Sequence, residues 1–356
     1  MEIYNHKKDI FSQIINMELN NAINLSLGEP HFDVHPDIID TIIKCLKNGK
    51  TKYCDPQGLE ELRQKYIQAY RSDFLYTYSP ENVFVGAGVS NILNLLFSIF
   101  LNKNDSVIVI TPYYFSYKHL LDHYGVKIIY VNEKFTVNDL EIIEGNIKMI
   151  IFSNPSNPTG YCFTIQQLKL LIEYSKQKDI LIISDEIYRD FDYDGKYNSI
   201  AQYSKQAIIL RGFSKSHAMT GLRLGLAIAP KEIIKKLVDF HTHSYICVPE
   251  AIQKGGIAAL DIDVTPFKQY YNKNRMLIFN TLQKFMDVSI PSGGFYFFLT
   301  INKEDIEFVN SSYVKHNILL CPGYEFINSH NYVRISFCTS IDIINKFILQ
   351  LPAIFN

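Results

Sequence analysis

Lys215 lies in a run of small and hydroxyl-bearing residues, GFSKSH (212–217), and Arg223 follows eight positions later. A lysine amine that is partly deprotonated and held still can condense with an aldehyde to form a Schiff base. The neighbouring hydroxyls, the guanidinium and glycines that allow close approach could hold a phosphate. A lysine in such a loop is more often simply exposed to solvent, so the other segments of the chain must decide between the two interpretations.

Two polar segments directly follow predicted buried strands. Asn157 lies in the turn SNPSNPTG (153–160), and Asp185 follows the strand ILIIS. The carboxyl ends of parallel strands are where open α/β sheets bind ligands. A buried carboxylate needs a cationic or hydrogen-bonding partner, which a pyridinium nitrogen would supply. Tyr188 could reach the ring that carries this nitrogen. Taken alone, Asp185 could instead cap a helix that begins at Glu186.

A glycine-rich turn and an aromatic cluster follow two further strands. Gly88, Val89 and Ser90 open a helical segment, and backbone N–H groups at a helix N-terminus form an anion site. Tyr114, in the run PYYFSY, could stack on a flat ring. Taken alone, the first segment is more typical of a tight connection and the second of ordinary core packing.

These segments, in this order, resemble the motifs of the class I/II aminotransferases, enzymes of pyridoxal 5′-phosphate (PLP), over about residues 23–340. The resemblance implies that Lys215 holds the cofactor aldehyde and then moves a proton on the substrate, with Asp185 and Tyr188 as further catalytic residues. The cofactor-binding residues that it implies are Gly88, Val89, Ser90, Tyr114, Asn157, Asp185, Tyr188, Ser214, Lys215, Arg223 and, from a neighbouring subunit, Tyr53.

The same resemblance implies the substrate contacts and the assembly. Gly28, in LGEPHF, and Arg334, in YVRISF, match positions that approach the substrate α-carboxylate, together with Asn157. Tyr53 matches a tyrosine that reaches the partner's phosphate, so a homodimer with shared active sites is expected. One departure is Gly212, where the family often has a serine, and its absence leaves Ser214 and Arg223 to hold the phosphate.

Short apolar runs alternate with amphipathic segments from residue 83 onward. The predicted strands are 83–85, 106–110, 127–131, 148–152, 180–184, 207–210 and 225–229, and the predicted helices between them are 88–101, 115–124, 164–178 and 187–192. Continuously apolar strands separated by helices favour a mostly parallel sheet covered on both faces. The last two strands are joined by the Lys215 loop without a helix, which leaves room for one antiparallel strand.

The pattern changes after about residue 230. Helical patterns at 231–242, 250–260 and 267–285 precede apolar strands at 295–301, 318–321 and 332–337. The expected fold is therefore α/β, that of the fold-type I PLP-dependent transferases, with a mostly parallel seven-stranded sheet and a smaller α+β domain. The predicted boundaries are 40–250 for the large PLP-binding domain, and 1–39 with 251–356 for the small domain.

Composition excludes several classes of partner. The 356 residues have a formal net charge of −1, so neither nucleic acid nor a membrane surface is expected as a partner. The six cysteines form no CxxC pair, which indicates reduced thiols without a disulfide framework or metal site. Charges interrupt every apolar run near the N-terminus, so no signal peptide is expected, and the predicted location is the cytoplasm.

The function predicted from the resemblance is amino-group transfer between an L-amino acid and a 2-oxo acid, both small-molecule substrates. A PLP-dependent lyase, such as a C–S β-lyase or an amino-acid decarboxylase, would use the same residues and stays open as an alternative. A non-catalytic role in a transcription regulator is disfavoured because Lys215 is intact and no N-terminal helix-turn-helix is seen. The sequence does not identify the amino donor or the acceptor.

Overall fold

The computed structural model describes residues 22–355, so the sequence-based expectations for residues 1–21 lie outside the described part of the chain. The strands described are β1 (Ile23–Asn24), β2 (Val83–Gly86), β3 (Ser106–Thr111), β4 (Lys127–Asn132), β5 (Ile147–Ser153), β6 (Leu181–Asp185), β7 (Ile208–Gly212), β8 (Gly225–Ile228), β9 (Tyr296–Thr300), β10 (Ile318–Leu319), β11 (Cys321–Pro322) and β12 (Tyr332–Ser336).

The helices lie between and after these strands. They are α1 (Pro36–Lys47), α2 (Glu60–Ala69), α3 (Val89–Phe100), α4 (Ser116–His123), α5 (Val137–Glu141), α6 (Ile165–Lys178), α7 (Lys231–Ser244), α8 (Glu250–Ala259), α9 (Thr265–Leu282), α10 (Asp305–His316) and α11 (Ile341–Phe355). Over residues 22–355, no helix combines the length and the apolar character needed to cross a bilayer.

Seven strands form one sheet in the order β2-β8-β7-β6-β5-β3-β4. Strand β8 runs antiparallel to both of its neighbours, and every other pair in this sheet is parallel. The predicted mostly parallel seven-stranded sheet with one antiparallel strand is therefore confirmed. Because the five parallel strands point the same way, the turns that follow them meet along one edge of the sheet.

Both faces of this sheet are buried, as its continuously apolar strands predict. Side chains alternate along β3, so Val107 and Val109 pack in one core cluster with residues of α3 and α4. Ile108 and Ile110 point to the opposite face and belong to the cluster that contains residues of α6. The sheet is thereby held from both sides, and its carboxyl edge is a rigid support for the turns.

A second apolar core lies around the antiparallel sheet β11-β12-β9. The predicted strand 318–321 is divided at Leu320: β10 pairs with β1, whereas β11 pairs with β12. The N–H of Ser336 donates to the carbonyl oxygen of Leu25, which ties the start of the described chain to this core. Helix α8 packs on α1, and the domain boundaries stay a prediction.

The predicted helix over 187–192 is wrong, because the helical part of this segment is a single 3₁₀ turn at Arg189–Phe191. The N–H of Ile187 donates to the Asp185 side chain at 3.3 Å, and the carboxylate of Glu186 is fully buried among polar partners. The contacts of the Asp185 and Glu186 side chains thus fix the path of the backbone after β6 and prevent a regular helix with an exposed face.

Candidate active site

One cavity of about 580 Å³ lies at the carboxyl edge of the large sheet, where the second core meets it. All of the predicted site residues except Gly88 and Tyr53 line this cavity. Those that line it are Gly28, Val89, Ser90, Tyr114, Asn157, Asp185, Tyr188, Ser214, Lys215, Arg223 and Arg334. The fold therefore brings together segments that are as much as three hundred residues apart in the chain.

Lys215 follows the end of β7, and its amine lies inside the cavity. The Nζ atom donates a hydrogen bond to the carbonyl oxygen of Gly28 at 2.6 Å. Desolvation disfavours the ammonium form and lowers the pKa of Lys215 to about 8. Roughly a tenth of this amine is therefore neutral at pH 7, far more than for a lysine of ordinary pKa, and the neutral form is the one that a nucleophile or a base requires.

Asp185 ends β6 with its side chain buried. The hydroxyl of Tyr117 donates to its Oδ2 atom at 2.7 Å, and the Ile187 N–H donates to Oδ1. Burial raises the pKa of Asp185 to about 6, and these donors oppose the increase. Tyr117 had no predicted role, although it closes the aromatic run that contains Tyr114.

Arg334, on β12, is held by two hydrogen bonds and two aromatic rings. Its guanidinium donates to Asn157 Oδ1 at 3.1 Å and to the carbonyl oxygen of Ser26 at 2.6 Å. The same group lies 4.4 Å from the ring centre of Tyr296 and 4.5 Å from that of Phe326. This arrangement presents a fixed cation to the cavity, suited to a carboxylate.

Tyr296 is a second residue that sequence reasoning missed. Its hydroxyl and that of Tyr188 share a hydrogen bond of 2.9 Å. A Cβ atom on Gly28 would lie 1.6 Å from the Tyr296 hydroxyl oxygen, so only glycine fits beside this ring. The sequence predicts the strand that carries Tyr296, but nothing local indicates which of its aromatics faces the cavity.

The start of α3 forms a corner suited to an anion. The first N–H groups of a helix have no intrahelical acceptor, and here they belong to Val89 and its neighbours. Gly88 precedes them with φ 82°, and a Cβ atom there would lie 2.5 Å from Arg223 Nη2. A Cβ on Gly225 would lie 2.7 Å from the Val89 nitrogen. The two glycines thus allow a guanidinium and helix amides to converge.

Gly212 has a steric explanation in this corner. A Cβ atom at this position would lie 2.8 Å from the carbonyl oxygen of Leu224, which directly precedes the neighbouring strand β8. A serine side chain therefore has no room there without a backbone shift. The hydroxyl of Ser214 and the guanidinium of Arg223 both line the cavity, as does Ser90 at the start of α3.

A buried ion pair supports the strands that carry the site. Glu186 and Arg211 are almost completely buried and lie 2.8 Å apart. Ser199 and Tyr197 also donate to the Glu186 carboxylate, and Arg211 further contacts Asp73. Because each charge has several partners, this network fixes β6 relative to β7. It thereby also fixes Asp185, at the end of β6, relative to Lys215, which follows β7.

Tyr53 is not among the residues that line the cavity of its own chain; it lies in a loop and is 81% exposed. A separate group, formed by Glu304, Asp305 and His330, has side-chain atoms close enough to hold a cation. None of these three residues lines the cavity, so the chemistry of the cavity does not involve them.

Comparison with known proteins gives one consistent result. The sequence model of the aminotransferase class I and II family matches residues 20–348. A probable aspartate aminotransferase of Methanocaldococcus jannaschii is 32% identical, over 99% of this chain and 98% of that protein.

Solved structures agree in fold over most of their length. The aspartate aminotransferase of Thermotoga maritima has a TM-score of 0.89 at 28% identity, covering 94% of this chain and 92% of that one. The aromatic aminotransferase of Pyrococcus horikoshii has a TM-score of 0.89 at 27% identity, covering 97% and 98%.

Proposed function

We propose that this chain, which belongs to the class I and II aminotransferase family, uses PLP bound around Lys215. The reaction is the transfer of an amino group between an L-amino acid and a 2-oxo acid. The family is generally PLP-dependent, and its fold is the fold-type I scaffold predicted above. The observation that carries the proposal is the convergence of Lys215, Asp185, Arg223 and Arg334 on one cavity. Bound there, PLP would supply an aldehyde for the substrate amine and a ring that accepts electrons from the substrate Cα.

The residues present fit this cofactor. We propose that the helix amides of Val89 and Ser90, with Ser214 and Arg223, would hold its phosphate, where glycines leave room for close approach. Asp185 would face the ring nitrogen, since its buried carboxylate otherwise has only hydrogen-bond donors for partners. Tyr114, Asn157 and Tyr188 also line the cavity, and we propose that the first stacks on the ring and the others bond to its phenolic oxygen.

Lys215 is proposed to move the proton. Its amine has a pKa of about 8, so it can be neutral when it accepts a proton from the substrate Cα and charged when it returns one. The carbonyl oxygen of Gly28, 2.6 Å from Nζ, would orient the amine during this exchange. Proton transfer by a positioned group is typically worth 10²- to 10⁴-fold in rate, roughly.

Arg334 is proposed to orient the substrate. Its remaining N–H groups would bind the α-carboxylate, with Asn157 and the backbone of Gly28 beside it. A desolvated guanidinium binds a carboxylate in a defined plane, so the Cα–H bond would be held toward Lys215. A transaminase needs this contact twice, because the donor amino acid and the acceptor 2-oxo acid both carry an α-carboxylate.

We further propose a homodimer in which Tyr53 reaches the cofactor phosphate of the partner subunit. Two observations support this role: Tyr53 is exposed, and it does not line the cavity of its own chain. The division into a large domain (40–250) and a small domain remains a proposal. The cytoplasmic location is likewise proposed from the free state of the cysteines.

The test is a half-reaction without acceptor. Adding an amino acid to the holoenzyme should remove the visible band of the bound cofactor stoichiometrically, and a 2-oxo acid should restore it. Arg334→Ala should impair both directions by roughly 2–5 kcal/mol, and Arg334→Lys should recover only part, because a lysine cannot bind bidentately. Continuous release of ammonia and pyruvate from cysteine without any oxo acid would instead indicate the lyase alternative, which the similar proteins do not favour.

A further inference from the structure

Two buried phenols meet at the wall of the cavity. Tyr188 and Tyr296 both line it, and their hydroxyl oxygens lie 2.9 Å apart. The two residues are 3% and 1% exposed. One shared hydrogen bond uses one of the two hydroxyl protons. The other proton belongs to the hydroxyl that accepts, and it is left for a group in the cavity.

Packing fixes the position of the Tyr296 hydroxyl. Tyr296 begins β9, where it pairs in register with Ser336 of β12. Its ring packs against the Arg334 guanidinium at 4.4 Å. Its hydroxyl oxygen occupies the space that a Cβ atom on Gly28 would take. Contacts on the ring and at the hydroxyl therefore hold this side chain in place.

Tyr188 has less support from its own backbone. It lies in the turn between β6 and the 3₁₀ turn at Arg189–Phe191. Its ring packs edge-on against Phe295 at 5.1 Å and against Tyr296 at 5.8 Å. Ring contacts alone leave the hydroxyl proton free to rotate. Among the described residues, the side chain that hydrogen-bonds to this hydroxyl is Tyr296, so this bond sets the direction of the Tyr188 O–H.

Burial keeps both hydroxyls protonated. Desolvation is the main cause of the raised pKa of each phenol, because neither anion would be solvated. A hydroxyl that accepts a hydrogen bond is itself a stronger donor, because hydrogen bonds in a chain polarise one another. The gain is greatest when the final acceptor is ionised.

The direction of the bond between the two phenols follows from the proposed function, on which this inference rests. There Tyr188 gives its one proton to the phenolic oxygen of PLP, so the bond between the two phenols must use the proton of Tyr296. We propose that Tyr296 is a positioning residue for amino-group transfer, whose hydroxyl donates to Tyr188 and thereby directs the Tyr188 O–H to the ionised phenolic oxygen of bound PLP.

The first experiment measures the ionisation of the bound cofactor. The visible absorption of the holoenzyme is titrated from about pH 5 to about pH 10 in the wild-type protein and in Tyr296→Phe. The variant keeps the ring against Arg334 but loses the donor, which makes the ionised form of the cofactor less stable. The midpoint should therefore rise by about half to one pH unit. An unchanged midpoint would overturn the inference.

The comparison of two proteins isolates Tyr296 from the other ionisable groups. Those of the described lining are the same in both: Glu29, Tyr114, Asp185, Lys215, Arg223, Cys321 and Arg334. Any residues that a partner subunit brings to the cavity are also the same. Tyr193→Phe is the matched control, because the buried Tyr193 hydroxyl has no hydrogen-bond partner within residues 22–355 and does not line the cavity. Its midpoint should equal that of the wild type, and a shift as large as that of Tyr296→Phe would refute a specific role.

The second experiment tests whether Tyr296 acts through Tyr188. Tyr188→Phe should raise the midpoint at least as much as Tyr296→Phe does. In the double variant, the second substitution should add nothing, because the hydrogen bond between the two residues is already lost. Additive shifts would mean that Tyr296 contacts the cofactor directly, and they would overturn the positioning role.

The same titrations separate this inference from the proposed function. A visible band that titrates in the wild-type protein and is lost in Lys215→Ala supports the proposed function, and the midpoint of Tyr296→Phe then decides the inference alone. A wild-type protein that shows no such band after incubation with PLP would overturn both.

Discussion

At the residue scale, the cavity moves the pKa values of its acid and its base toward each other. Desolvation disfavours every charged form, so it lowers the pKa of Lys215 to about 8 and raises that of Asp185 to about 6. Tyr117 partly restores the charged form of Asp185 by donating a hydrogen bond to it. Around neutral pH, Asp185 can therefore stay ionised while part of the Lys215 population is neutral.

This balance predicts a pH effect of Tyr117→Phe. In the proposed function, a cofactor with a protonated ring nitrogen would pair with ionised Asp185, so cofactor affinity should fall as the pH drops through about 6. The variant loses a donor to the carboxylate, which raises the pKa of Asp185 further, and the fall should begin about one pH unit higher.

The measurement is the dissociation constant of the cofactor from pH 5 to pH 8 in both proteins, roughly the range in which the phosphate also ionises. The phosphate contributes equally to both curves, so their difference reports Asp185. Superimposable curves would show that the carboxylate does not face the ring.

The sequence predicts the site residues that belong to a recognisable local motif. It does not predict those whose role depends on a partner far away in the chain. Lys215 and Asp185 stand next to recognisable turns after apolar strands. Tyr117 matters because the sheet order places it against a residue 68 positions away. Tyr296 meets Tyr188 across 108 positions. Such pairings depend on tertiary contacts, which periodicity and motif spacing do not contain.

At the element scale, the seven strands of the large sheet were predictable because burial on both faces requires unbroken apolar runs. The segment 187–192 does not form the predicted helix. The Ile187 N–H bonds to the Asp185 side chain, the Tyr188 hydroxyl bonds to Tyr296 and Arg189 pairs with Asp73, and these contacts override helical periodicity. Helix α2 was not predicted: most of its ten residues are polar, and its buried apolar side chains are Leu62, Tyr66 and Ile67.

The contact between β8 and α3 gives a prediction at this scale. Gly225→Ala places a methyl group 2.7 Å from the Gly88 and Val89 backbone, so the start of α3 must shift. The free energy of unfolding should fall by about 1–3 kcal/mol, and cofactor binding should weaken because the helix amides move. Urea unfolding and cofactor titration measure the two effects.

Gly221→Ala is the matched control for the steric effect. Nothing lies within 4 Å of the position that its methyl group would take, so stability should not change. Equal stability of the Gly225→Ala and Gly221→Ala proteins would contradict the close approach of β8 to α3.

At the scale of the whole molecule, the site combines the two cores of the fold. Asp185 and Lys215 extend from the large sheet, whereas Arg334 comes from the antiparallel sheet and Gly28 from the segment joined to it. Asn157 and Tyr188 link the two, because Asn157 accepts a hydrogen bond from Arg334 and the Tyr188 hydroxyl shares one with Tyr296.

The shared-site homodimer predicts complementation between chains. Tyr53→Phe should weaken cofactor binding by about 1–1.5 kcal/mol, the loss of one hydrogen bond. In a mixed dimer with Lys215→Ala chains, one site has an intact Lys215 and receives an intact Tyr53 from its partner. Re-equilibrated mixtures should therefore contain sites with wild-type cofactor affinity, measured by titration at low cofactor concentration. A fully active monomer, or mixtures that merely average the parents, would contradict this assembly.

The central claim is that Lys215 carries the cofactor. Borohydride reduction of the holoenzyme followed by peptide mapping tests it most directly. We expect one pyridoxyl-modified peptide, containing Lys215 within GFSKSH, and no modification or turnover in Lys215→Ala. Modification of a different lysine in the wild-type protein, or retained turnover in Lys215→Ala, would contradict it.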